Sequence, residues 1–215
     1  VWRRFIESTM LRTRCWRLPA NPSNYSIFVP QSRLMQGSKQ DIRAALRQLN
    51  KLTLTDAYRA EAAQSIVQAL LATEMWQKAR RIGLYEALPD EPSLQSLLAA
   101  PGDKEFFIPR VEDAETIAFY SYNPEKLQEG GAFGIKEPTQ AREDAVDPTR
   151  LDLIIVPGVA FTAQGVRLGR GKAYYDRFLQ KAPQAQLIGV TFRYRLLPSL
   201  PSDPWDHLMD LVLTN

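Results

Sequence analysis

The side chains best suited to chemistry lie between Val156 and Leu179, in the run VPGVAFTAQGVRLGRGKAYYDRFL. Apolar strand residues end at Val156, a loop follows, and Arg167, Gly169, Arg170, Gly171 and Lys172 then lead into Tyr174, Tyr175 and Asp176 at the start of a helix. Glycines let a backbone approach phosphate closely, helix-start N–H groups point at an anion, and Arg170 and Lys172 add positive charge. The run reads as a phosphate cradle. It is not a Walker A loop, because the GxxxxGK[ST] spacing is absent, and a tight basic surface turn would use the same residues. A second basic set, Lys39, Arg43 and Arg47, recurs at i, i+4 and i+8 and so shares one helical face. Such a row is ordinarily just solvated. It gains meaning only if that face meets the glycine loop.

The residues that are scarce narrow the chemistry further. The 215-residue chain has one Cys and one His, which excludes an internal disulfide framework and a closed structural zinc site. We read His207 as non-catalytic, so acid–base work falls to carboxylates, lysine or the substrate itself. Hydrophobic residues make up 45% and charged residues 24%, ordinary globular values that argue against pervasive disorder or a fibrous repeat. The pI near 9.0 comes from one end of the chain. Arg3, Arg4, Arg12, Arg14, Arg17 and Arg33 face Glu7 alone in residues 1–38, and the remainder holds 21 basic against 23 acidic residues. The body is therefore not a basic nucleic-acid binder. No run of about 18 apolar residues exists, so no membrane span is expected.

These groups need elements to hold them. Residues 1–37 read as an irregular basic extension, broken by Pro19, Pro22 and Pro30, and residues 38–215 as one α/β domain. The extension fits either sequence lying upstream of a true start at Met35 or an organellar targeting segment, and localisation is otherwise expected to be cytoplasmic. From Lys39, Ile42, Ala45, Leu46 and Leu49 recur at helical spacing. A second helix follows Thr55, with Tyr58, Ala62, Ile66, Ala69 and Leu70 on one side. Strands are expected at Arg81–Leu84, Glu105–Ile108, Thr116–Tyr120, Leu187–Phe192 and Leu211–Leu213, with a helix at Glu91–Ala100. Asp152–Val156 is the clearest strand, and its run does not alternate, so both faces should be buried as in a parallel sheet. The fold expected is α/β, a three-layer α/β/α sandwich with a mainly parallel central sheet and ligands at the carboxyl ends of its strands.

The stretch Val156–Leu179 closely resembles the signature of the 5-formyltetrahydrofolate cyclo-ligase (5,10-methenyltetrahydrofolate synthetase) family. KQDIR, Lys39–Arg43, resembles that family's ATP-contacting helix, and LPDEPSLQSLL, Leu88–Leu98, resembles its folate-contacting segment. GIKEP, Gly134–Pro138, and PWDHLMDLVLT, Pro204–Thr214, resemble its Gly-Ile-x-Glu-Pro turn and its closing Asp-rich segment. The resemblance runs from about Lys39 to the end. Three positions depart from it: Ala173 in place of glycine, Thr162 in place of aspartate, and Trp205 in place of a polar residue. If position 173 needs positive φ, alanine costs on the order of 1 kcal/mol there.

The resemblance implies ATP-dependent conversion of 5-formyltetrahydrofolate to 5,10-methenyltetrahydrofolate, with ADP and phosphate released. It implies Arg170 and Lys172 as catalytic groups, and Lys39, Arg43, Arg167, Gly169, Arg170, Gly171, Lys172, Ala173, Tyr174 and Tyr175 around ATP. Glu86, Glu91 and Tyr174 would contact folate, and Asp176 and Asp206 would hold Mg²⁺. The chain would act as a monomer, with neither nucleic acid nor membrane as partner. Structural alternatives stay open for several of these. Asp176 could cap its helix, Glu91 could satisfy helix-start donors, Asp206 and Asp210 could be surface acids, and Tyr174 and Tyr175 could be core aromatics. Phe133 and Trp205 could either stack on ligand or simply pack. A catalytically weak relative that binds nucleotide or folate as a regulatory module is the alternative function.

Because residues 1–34 hold no matched motif, a chain beginning at Met35 is expected to keep its activity and thermal stability. A fall in melting temperature of more than about 4 °C against the full chain would show that the segment packs.

Overall fold

The computed structural model describes residues 37–99, 102–131 and 133–215. The expected extension, apart from Gly37, lies outside the described residues. Three helices come first: α1 (Lys39–Thr53), α2 (Asp56–Leu71) and the short α3 (Glu74–Lys78). Ser38 starts α1 with a reciprocal capping box, its Oγ accepting from the Asp41 N–H and its own N–H donating to Asp41 Oδ2. Ile42 and Leu46 are buried along one side, as their spacing requires.

Strands β1 (Arg81–Gly83), β2 (Glu105–Val111), β3 (Ile117–Ser121), β6 (Leu153–Pro157), β9 (Gln186–Val190) and β10 (Leu211–Leu213) form one six-stranded sheet in the order β10-β9-β6-β1-β2-β3. All neighbours are parallel except β2 and β3, which pair antiparallel at the edge. Two small hairpins, β4 (Leu127–Gln128) with β5 (Glu137–Pro138) and β7 (Ala160–Phe161) with β8 (Arg167–Leu168), lie beside it. The remaining helices are α4 (Gln95–Leu98) and α5 (Tyr174–Leu179).

The apolar run of β6 divides between the two sheet faces, since successive strand residues point to opposite sides. Leu153 and Ile155 join Ile66 and Leu70 of α2, Trp76 of α3 and Leu97 of α4 in one core. Ile154 and Val156 join Phe178 and Leu179 of α5 in the other. Helices therefore cover both faces, and the three-layer sandwich with a mainly parallel sheet is the observed architecture. A third cluster docks α1, through Ile42 and Leu46, on Ala160, Leu168 and Leu197. That packing brings the basic face of α1 to the hairpin from which the glycine loop departs.

Several boundaries differ from expectation for local reasons. The helix expected over Glu91–Ala100 is only Gln95–Leu98, because Pro92 restricts the residue before it and the Glu91 carboxylate is held by tertiary partners instead of capping. Strand β2 continues through Pro109 to Val111. Phe106 accepts from Tyr122 on the β3 side and Glu112 donates to Thr116 there, so odd-numbered Pro109 turns its missing N–H toward β1, which ends opposite Phe107. Helix α3 and the two-residue hairpin strands are too short to show a period.

Asp152 ties the start of β6 to β1, with Oδ2 accepting the N–H groups of Arg80 (3.0 Å) and Arg81 (2.8 Å). Burial pushes this carboxyl up, but those N–H groups and the two arginine charges outweigh it and hold its pKa below the ordinary 3.8. A depressed pKa contributes stability above 3.8 that is lost as pH falls through the folded value. Asp152→Asn is therefore expected to melt below the parent at pH 7, with the gap closing as pH drops under 3.8. A gap independent of pH would mean the charge plays no part.

Candidate active site

The carboxyl ends of β1, β2 and β6 open onto one cavity of about 360 Å³, where Tyr85, Arg110 and Gly158 contribute to the wall. The glycine loop, Gly169–Ala173, closes one side of it, and Lys39 and Arg43 of α1 reach it from another. All ten expected ATP contacts line this cavity, as do Glu86, Glu91, Asp176 and Asp206. The condition set for the basic row is met by Lys39 and Arg43. Arg47, one turn further on, is exposed and is not among the lining residues.

Each cation is held differently. Lys39 Nζ donates to Asp203 Oδ2 and Asp206 Oδ2, both at 2.7 Å. Burial pulls its pKa down, but the two carboxylates more than reverse that, so Lys39 stays firmly charged. Asp206 answers in kind: burial pushes it up, while the Lys39 hydrogen bond, the Asp203 N–H and the nearby charges of Lys39 and Arg167 hold it below its ordinary value. Arg43 Nε donates to the Gly169 carbonyl at 2.8 Å, pinning the start of the loop. Its pKa is lowered by burial and by the charges of Arg47 and Arg167. Arg167 is buried, with Nη2 on Asp176 Oδ1 (3.0 Å) and Nη1 on the Pro157 carbonyl (3.2 Å). Arg170 donates from Nε and Nη2 to Glu91 Oε1 (3.1 and 2.9 Å) and from Nη2 to Asp90. Lys172 Nζ, exposed at the cavity edge, has no hydrogen-bond partner or ion pair among the described residues.

The rest of the wall is mixed. Glu86 is half-buried, and burial pushes its carboxyl up against the pull of Gln95 and Lys136. The second Glu91 oxygen accepts the Leu88 N–H at 3.1 Å, so this carboxylate folds its own loop rather than starting a helix. Tyr174 donates to the Asp113 carbonyl (3.2 Å) and meets the Phe133 ring edge-on. Tyr175 has a buried hydroxyl with no partner among the described residues, and burial, with the Glu91 charge nearby, raises its pKa. Phe133 and Trp205 line the cavity while staying 42% and 62% exposed, so neither is simply packed in the core.

A sequence model of the 5-formyltetrahydrofolate cyclo-ligase family matches residues 35–215. The chain belongs to that family. It is 28% identical over 192 residues to mouse 5-formyltetrahydrofolate cyclo-ligase, covering 83% of this chain and 94% of the relative. The Mycolicibacterium smegmatis 5-formyltetrahydrofolate cyclo-ligase is 31% identical over 185 residues, covering 82% and 93%. The solution structure of Aquifex aeolicus 5,10-methenyltetrahydrofolate synthetase superimposes with a TM-score of 0.69 at 33% identity, covering 81% of this chain and 88% of that one. Cyclo-ligase membership makes this chain one of an ATP-dependent, folate-related ligase family.

Within that family context, Asp176 and Asp206 fit a magnesium ion only as partial ligands. Among the described residues no group of three His, Cys, Asp or Glu is placed to hold a metal alone. Each of the two aspartates has one oxygen engaged by the protein, on Arg167 or on Lys39 and the Asp203 N–H, and the other oxygen without a hydrogen bond among the described residues. That set suits a hard cation whose remaining ligands are phosphate and water.

Sequence reasoning passed over Asp90, Asp203 and Arg110, all of which shape the site. Asp203 carried a signal, since it stands three residues before Asp206 and directly before the closing segment. Asp90 sat beside Glu91 in a segment already singled out. Arg110 had none, being an arginine in a strand whose guanidinium reaches Glu112 and Tyr120.

Ala173 adopts φ 53°, ψ 20°, the left-handed region, and is the sole non-glycine residue there among those described. The departure from glycine therefore falls where it costs most. Ala173→Gly removes left-handed strain of about 1–2 kcal/mol, offset by roughly 0.4–1 kcal/mol of added unfolded-state entropy. The variant is expected to match or exceed the parent melting temperature by up to about 4 °C and to lower the Michaelis constant for ATP. A lower melting temperature with unchanged kinetics would contradict this.

Proposed function

We propose that this chain converts 5-formyltetrahydrofolate to 5,10-methenyltetrahydrofolate at the expense of ATP. The observation that carries the reading is the convergence of Lys39, Arg43, Arg170 and Lys172 on the cavity that Glu86, Glu91 and Tyr174 also line. The formyl oxygen attacks the γ-phosphorus of ATP and ADP leaves. N10 of the same folate then closes on the formyl carbon and gives up its proton, and the oxygen departs with its phosphate. The product and inorganic phosphate account for every atom, and no protein nucleophile is needed.

The chain's own task is positioning and charge. Phosphoryl transfer spreads negative charge over the moving group, and cations fixed in advance around it stabilise that charge without reorganising. Arg170 and Lys172 take this role, while Lys39 and Arg43 hold the remaining ATP phosphates. Arg167 and Asp176 brace one another beneath the loop. Magnesium held by Asp176 and Asp206 would add charge neutralisation on the phosphate oxygens. Glu91, Glu86 and Tyr174 orient the folate, and Phe133 offers a ring face at the opening. The chain is taken to act as a monomer.

Left-handed Ala173 favours a second reading, a binder of nucleotide or folate with weakened turnover. Lys172 separates the two. Absorbance of the methenyl product, measured with and without ATP and magnesium, is expected to report turnover in the parent. Lys172→Ala should lower it by on the order of 10²- to 10³-fold. Stability should move by less than roughly 0.5 kcal/mol, since the side chain is exposed. A parent that binds ATP without forming product establishes the binder, and an unimpaired Lys172→Ala removes the catalytic role of this lysine.

A further inference from the structure

Arg195 is the largest fully buried side chain among the described residues, with 1% of its surface exposed. It stands outside the cavity wall, in the short turn between β9 and β10, with its guanidinium about equally far from the Phe192 (5.5 Å) and Tyr194 (5.6 Å) rings. Its sole ion pair among the described residues runs from Nη2 to Asp90 Oδ2 at 3.2 Å, and its Nε and Nη1 are buried without a partner. Packing alone would be served better by an apolar side chain, because desolvating a guanidinium costs several kcal/mol. The charge itself must matter.

Asp90 is the link. Its Oδ2 accepts from Arg195 and from Asn50 of α1 (3.3 Å), and its Oδ1 accepts from Arg170. Arg170 also meets Glu91, so its Nε–Nη2 edge is occupied by two carboxylates while Nη1 makes no hydrogen bond among the described residues. Two carboxylates facing one guanidinium would leave the cluster net negative and cancel the attraction Arg170 holds for phosphate. Arg195 restores neutrality to the four groups. We propose that Arg195 is a positioning residue that acts through Asp90, countering one carboxylate charge so that Arg170 keeps its free edge and positive field for the phosphoryl group. The inference rests on the reading of Arg170 as a phosphate contact.

The test uses full-length Arg195→Gln, Arg195→Lys, Asp90→Asn and the double variant Arg195→Gln/Asp90→Asn. Each is measured for methenyl product formation, for ATP affinity by calorimetry without folate, and for melting temperature. Arg195→Gln is expected to lose about tenfold in turnover and in ATP affinity, while Arg195→Lys stays within about threefold of the parent. Adding Asp90→Asn to Arg195→Gln should recover most of the loss, because the cluster returns to neutrality. Melting temperature is expected to fall in every variant. A purely structural role predicts the opposite for the double variant, with no recovery or a further loss, and that result overturns the proposal. Should Arg195→Gln fail to fold, Asp90→Asn alone decides: it leaves one excess positive charge and should tighten ATP, and weaker ATP binding overturns the proposal. A parent that binds ATP but forms no product defeats the proposed reaction while the affinity measurements still decide the charge balance. A parent that does not bind ATP defeats both.

Discussion

Six cations, Lys39, Arg43, Arg110, Arg167, Arg170 and Lys172, line a single cavity, and in a partly desolvated space their mutual repulsion must be balanced within the chain. Much of the site follows from that constraint. Arg43 already shows the strain in a pKa lowered by burial and by Arg47 and Arg167. Carboxylates are brought in to match: Asp203 and Asp206 for Lys39, Asp176 for Arg167, Asp90 and Glu91 for Arg170. The exposed Lys172 alone among the catalytic candidates has water for its counterbalance. The result is a surface whose positive charge is high in density but locked in direction, which is what a transferring phosphoryl group rewards.

This arrangement also explains why the acidic residues of the site resist single labels. Glu91 simultaneously accepts a backbone N–H, neutralises Arg170 and lines the cavity. Asp206 pairs with Lys39, caps the turn that contains Asp203 and keeps one oxygen free. A carboxylate in such a place is a fold residue and a site residue at once, because the cations it holds line the same cavity.

The parts of this protein legible in the sequence are those governed by local periodicity or by a contiguous motif. The non-alternating run of β6 announced a strand buried on both faces, Ile42 and Leu46 announced the buried side of α1, and the glycine loop announced itself through its own residues. The pairing of charges was not legible. Arg170 meets Glu91 across 79 positions and Lys39 meets Asp206 across 167, and nothing in either segment specifies the other. The shortened helix at Gln95 has the same origin, since a carboxylate that would have capped it is claimed by a distant arginine. Arg195 was invisible for the simplest reason: an arginine in a loop reads as solvent-exposed, and only the packed Phe192 and Tyr194 rings reveal otherwise.

The docking of α1 on β7 and β8 has a bearing on how the molecule is made. Ile42 and Leu46 find their partners at Ala160, Leu168 and Leu197, and Lys39 finds its own beyond position 200. On a chain emerging from the ribosome in order, that helix lacks these apolar partners until Ala160 and Leu168 are out, and Lys39 lacks its carboxylates until Asp203 and Asp206 follow. Closing so long a loop costs only slowly more entropy with length, but it cannot be done early. The cavity's two ends therefore come together late in synthesis, and a nascent chain gathers the cavity's charges only after residues beyond position 200 have been made.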